Sequence, residues 1–128
     1  MEERWHDDME DDCKRDLLRE LGRIEEEREE IAKEMRAVDA DTELFDEVQR
    51  DVRGIFKEIW KYCEEDLFLA QTEELEEEIW ECGREDERGL EEKRERLEER
   101  KRKSYDTEDE IREELRRRQM ETDNEEKE

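Results

Sequence analysis

The sequence predicts an all-α protein: a long antiparallel helical hairpin, coiled-coil in character, with frayed acidic termini. Three observations predict it. Charged residues make up 59% of the 128-residue chain and hydrophobic ones 30%, too few to fill a round core. Such a composition permits disorder or long helices that bury narrow seams. Proline is absent and glycine occurs only at 22, 54, 83 and 89, so little interrupts a helix. Apolar residues recur at steps of four and three rather than alternating, which selects helix over strand.

The first helix is expected near residues 12–63. Met1 to Asp12 is dominated by acidic residues, with Trp5 and Met9 as its large apolar side chains, so fraying or disorder is expected there. Asp11 or Asp12 is a candidate N-cap. From Leu17 the pattern is regular: Leu17, Leu21, Ile24, Arg28, Ile31, Met35, Val38, Thr42, Phe45, Gln49, Val52, Phe56, Ile59 and Cys63. Eleven of these fourteen seam positions are apolar. A 3.5-residue period of this kind lays one stripe along a helix and suits packing against another helix. Asp39, Asp41 and Thr42 could end one helix and cap the next. The register passes through them without a slip, which favours one continuous helix.

A turn is expected at residues 62–67. The seam is lost at Tyr62-Cys63-Glu64-Glu65-Asp66, Asp66 can cap a second helix, and a reversal there divides the chain into two arms of similar length. The second helix is expected over 67–118, carrying Leu75, Ile79, Cys82, Leu90, Leu97, Ser104, Ile111 and Leu115. The eleven residues from Ile79 to Leu90 read as a stutter, with a bend near Gly83 and Gly89. Beyond it, Glu92–Arg96, Glu98–Arg102, Glu99–Lys103, Glu108–Arg112, Glu113–Arg117 and Glu114–Arg118 stand at i, i+4, each pair contributing ~0.2–0.5 kcal/mol. Residues 121–128 read as a disordered acidic tail, and residues 1–120 as a single domain.

The formal net charge of −24 argues against binding nucleic acid or anionic membrane. The basic cluster Lys93 to Lys103 is interleaved with glutamates at pairing distance and reads as a salt-bridged solvated face. No apolar run is long enough for a membrane span. Met1-Glu2-Glu3-Arg4 has no apolar leader, so the expected location is cytoplasmic, with any export using a route that needs no cleaved signal peptide. No cofactor is expected. The lone histidine, His6, forms Glu3-x-x-His6, half of what a di-iron bundle needs. Cys13, Cys63 and Cys82 lack metal-ligand spacing, and Cys63 and Cys82 read as small apolar seam residues. Carboxylates on solvated helix faces lack the pocket that tunes a general acid. An enzyme is therefore not expected.

The informative stretch is the apolar waist from Leu44 to Cys82. Phe45, Val52, Phe56, Ile59 and Ile79 supply a seam; Leu44, Val48, Ile55, Trp60, Leu67, Phe68, Leu75 and Trp80 crowd around it. Two helices cannot cover all of these, and an exposed patch of that size marks an interface. The waist as a whole is the predicted partner-binding surface. Its occupant is a helical protein or a second copy of the chain in a structural coiled-coil oligomer; a small third helix or a bent tail is the remaining way to cover it.

The layout resembles the small helical-hairpin, WXG-like proteins of type VII secretion, and more specifically the hairpin partners of LXG-domain toxins. Trp60 stands just before the turn, and Tyr105-Asp106-Thr107-Glu108-Asp109 has the family's Tyr-x-x-x-Asp/Glu spacing. The glycine that follows the family tryptophan is replaced here by Tyr62. The resemblance implies an adaptor or targeting factor that packs on the helical domain of an exported toxin, with a second small helical protein as a further partner. It also implies an export element at Tyr105 and Asp109.

Overall fold

The structure, a computed structural model, describes the backbone of residues 2–127 and the side chains of residues 11–125. It is an all-α helical hairpin of two helices, α1 (Glu2–Tyr62) and α2 (Asp66–Lys127). The connection is short. The Cys63 N–H donates to the Ile59 carbonyl at 3.0 Å, and the Leu69 N–H donates to the Glu65 carbonyl at 3.0 Å. Glu65 thus holds the N-cap position of α2, where the sequence pattern places Asp66. Asp66 instead lies in the first turn, where its carboxylate faces the positive end of the helix dipole.

Both helices run further than the sequence suggests. α1 begins at Glu2 rather than near residue 12, and no glycine or proline stands before Gly22 to stop it. α2 continues to Lys127, through most of the stretch whose composition suggests a disordered tail. Local bonds carry it there: the Thr122 hydroxyl donates to the Arg118 carbonyl at 2.9 Å, and Gln119 donates to Asp123 at 3.4 Å. Gln119 also accepts from Lys14 of α1 at 3.4 Å. At the candidate break, Thr42 Oγ1 donates to the Val38 carbonyl at 2.8 Å, so the hydroxyl is satisfied inside the helix and caps nothing.

Every position of the predicted α1 seam, from Leu17 to Cys63, is buried or half-buried. Ile31 is the most enclosed, at 1% exposure. On α2 the matching row is Leu69, Glu76, Gly83, Leu90, Leu97, Ser104, Ile111 and Arg118, each seven residues after the last and each at least half-buried. This row corrects the sequence-based expectation in two places. Leu75 and Cys82, expected in the seam, are exposed. The interval from Ile79 to Leu90 is no stutter, because buried Gly83 occupies the intervening seam position. A Cβ on Gly83 would stand 2.6 Å from the Gln49 side-chain nitrogen, so the missing side chain makes room for Gln49.

The chain divides into two compact units, to each of which both helices contribute. The first comprises residues up to Lys33 and from Glu98 onward. Its core holds Ile31 and Ile111, with Ser104 buried beside them in the row. Arg28 bonds Glu108, which also accepts from Arg112 at 2.8 Å, and the Arg28 guanidinium lies 3.9 Å from the centre of the Tyr105 ring. Arg100 reaches Glu27 at 3.3 Å. Of the expected i, i+4 pairs, Glu108–Arg112 and Glu114–Arg118 form as ion pairs, while Arg102 and Arg117 bond Glu99 and Glu114 at i, i+3. The second unit, Glu34–Leu97, buries Val38, Phe56, Thr72 and Leu97 and carries the waist.

Candidate docking surface

Heptad geometry gives each side of the waist a different character. On α1, Val48, Ile55 and Tyr62 stand seven residues apart, one position before the seam residues Gln49, Phe56 and Cys63, so they form a row beside the seam. Leu44 lies one turn from Val48 on the same side. On α2, Phe68, Leu75, Cys82 and Gly89 form the corresponding row, again one position before the seam residues Leu69, Glu76, Gly83 and Leu90. The two rows flank one face, because Leu44 and Val48 line a shared groove with Asp86, Gly89 and Leu90. Leu44, Val48, Ile55, Tyr62, Phe68 and Leu75 are all exposed on it.

The other side of the seam is already occupied. There the Trp60 indole donates to one Glu76 carboxylate oxygen at 2.9 Å and the Trp80 indole to the other at 3.3 Å. Arg53 covers the Trp80 ring at 5.5 Å, and Arg50 and Arg84 line the same groove. A half-buried glutamate holding two indoles gives these tryptophans an intramolecular task that apolar periodicity does not reveal, since Glu76 reads as one more surface acid.

The predicted partner-binding residues therefore separate. Leu44, Val48, Ile55, Phe68 and Leu75 share the open face, and Leu67 is exposed at the start of α2. Trp60 is exposed but tied to Glu76 on the far side, with half-buried Trp80. Phe56 is buried, and Phe45, Val52, Ile59 and Ile79 are half-buried in the seam, where they hold the hairpin itself together. Tyr62 belongs to the face as well; one position before each seam residue is the signal that finds it.

Tyr105, from the resemblance, is 48% exposed, with one side of its ring under Arg28. Asp109 is exposed. The Arg118 guanidinium is held above its ordinary value: desolvation opposes its charge, and Cys13 and Glu114 beside it outweigh that. Among the described residues, no group of three His, Cys, Asp or Glu is arranged to hold a metal ion, and no helix is long and apolar enough to cross a membrane. His6 and its spacing to Glu3 lie outside the described side chains. No protein-family model, curated protein or solved structure matches the chain.

Proposed function

We propose that this chain is a non-enzymatic binding protein that docks the face of Leu44, Val48, Ile55, Tyr62, Phe68 and Leu75 onto a helical partner. The exposure of these six side chains along one side of the second unit carries the reading. Being 45–75% exposed, each forfeits roughly half or more of the ~1.5–3 kcal/mol that full burial of a large apolar side chain supplies. Two parallel rows of apolar side chains make a groove of the kind that accepts an amphipathic helix, with anchors at i, i+3, i+4 and i+7. With the type VII secretion resemblance, the partner is the helical targeting domain of an exported toxin and this chain is its adaptor.

Co-expression with helical domains encoded beside this gene, followed by light scattering on the eluted species, tests the proposal. The expected result is a stoichiometric complex that Ile55→Asp dissolves without loss of helicity. A wild-type homodimer stable in isolation, and converted to monomer by Ile55→Asp, would instead make the protein a structural coiled-coil oligomer.

A further inference from the structure

The charges around the open face are almost all of one sign, and their placement follows from the same sevenfold rows. Asp41 continues the row of Val48 and Ile55, while Asp51 and Glu58 continue the row of Leu44. On α2, Glu78 and Glu85 lie in the outer row next to Leu75 and Cys82, and Asp86 joins Glu85 in lining the groove at Leu44. Most bases of the same stretch lie elsewhere; Lys61, 5.4 Å from the centre of the Tyr62 ring, stands at the turn end of the face. Arg50, Arg53 and Arg84 line the opposite groove beside Trp80, and Lys57 follows Arg50 by seven residues in that row. Lys93 stands at the far end of the open face.

From this we infer that the occupant of the face is a basic amphipathic helix, with an apolar stripe bordered on both sides by lysine or arginine. This deepens the proposed function and rests on it. Apolar side chains enter between the rows of Ile55 and Leu75, and the cationic borders meet Asp51 and Glu58 on one side and Glu78 and Glu85 on the other. A second copy of this chain is a poor occupant, since its own acidic border would meet an identical one and like charges across an interface select against that pairing. The acidic border also repels acidic proteins and speeds the approach of a cationic helix.

Three synthetic amphipathic helices with one leucine stripe and borders of lysine, glutamine or glutamate serve as probes, with binding to the full-length protein followed by fluorescence anisotropy. The lysine-bordered helix is expected to bind about ten-fold more tightly than the glutamine-bordered one, with the advantage fading as salt screens the border. Ile55→Asp and Val48→Asp, checked for retained helicity, should abolish binding of both. The triple variant Asp51→Lys, Glu58→Lys, Glu78→Lys should reverse the order of preference. A charge-matched triple at exposed Glu26, Glu29 and Glu113, all to Lys, should leave that order in place. Equal affinity for the lysine and glutamine helices overturns the charge inference and leaves apolar docking standing. Equal effects of the two triples also overturn it, since bulk charge would then be responsible. Failure of every helix to bind overturns both readings.

Discussion

Ile55 and Phe56 are adjacent in the chain, yet one is 57% exposed and the other 5%. The heptad seam passes through Phe56, so the two residues serve different purposes and should respond differently to truncation. Phe56→Ala is expected to destabilise the hairpin by ~3–5 kcal/mol, through lost burial and the cavity left behind. Ile55→Ala should change stability by less than about 0.5 kcal/mol while weakening partner binding. Urea denaturation read by circular dichroism checks the first, and titration with the partner checks the second. Trp60→Phe separates the tryptophans from the docking face: it removes the bond to Glu76 yet should leave partner affinity unchanged. At Arg28 the seam holds a charge paired with Glu108, and its Nε makes no hydrogen bond. Arg28→Met should be neutral or mildly stabilising. Glu108→Ala, which strips the partner from a largely enclosed guanidinium, should cost about 1–3 kcal/mol, measured by the same urea titration.

The two helices differ in how much of their packing the sequence displays. α1 shows all of it, because eleven of its fourteen seam positions are apolar and the register can be counted through Arg28, Thr42 and Gln49. α2 hides its seam behind Thr72, Glu76, Gly83 and Glu108, which look like surface residues, while Leu75 and Cys82 look buried and are not. Most of these polar occupants have a local reason. Thr72 bonds the Phe68 carbonyl, Glu76 holds two indoles and Glu108 holds two arginines. The helix ends are hidden for a related cause: composition weighs charge against apolar content, and it does not see bonds such as Lys14 to Gln119. The glycines give a further test. Gly54 and Gly89 have open space where a Cβ would go, so alanine at either should stabilise its helix by ~0.5–1 kcal/mol. Gly83→Ala should gain less, or lose, because Gln49 must first leave its place. Thermal melts of the three variants rank them.

For the molecule as a whole, the formal net charge of −24 sets the response to salt. Carboxylates outnumber bases 50 to 26, so many have no oppositely charged partner to meet, and folding gathers them onto two neighbouring helices. Added sodium chloride, whose screening length is about 10 Å at 0.1 M, should relieve that repulsion and raise the melting temperature. A fall in melting temperature on the same titration would mean that pairs such as Arg28–Glu108 and Arg94–Asp39 outweigh the repulsion. The open face of the second unit is the part of the candidate site that is legible in the sequence, as an excess of apolar residues over what two helices can cover. Which rows it uses, and the one-signed border around it, emerge only when the seam is known and the remaining residues are sorted to either side of it.

A seam that repeats every seven residues has a built-in ambiguity: one helix can slide along the other by a whole repeat and still oppose hydrophobic groups. Gly83 narrows it. Shifted one repeat either way, Gln49 would confront Glu76 or Leu90 in place of the notch, and its amide would have to turn aside. The missing side chain therefore works as a keyway, favouring one alignment and, with it, one pairing of Ile55 and its row with Leu75 and its own. Filling the keyway should blur that alignment before it unfolds anything.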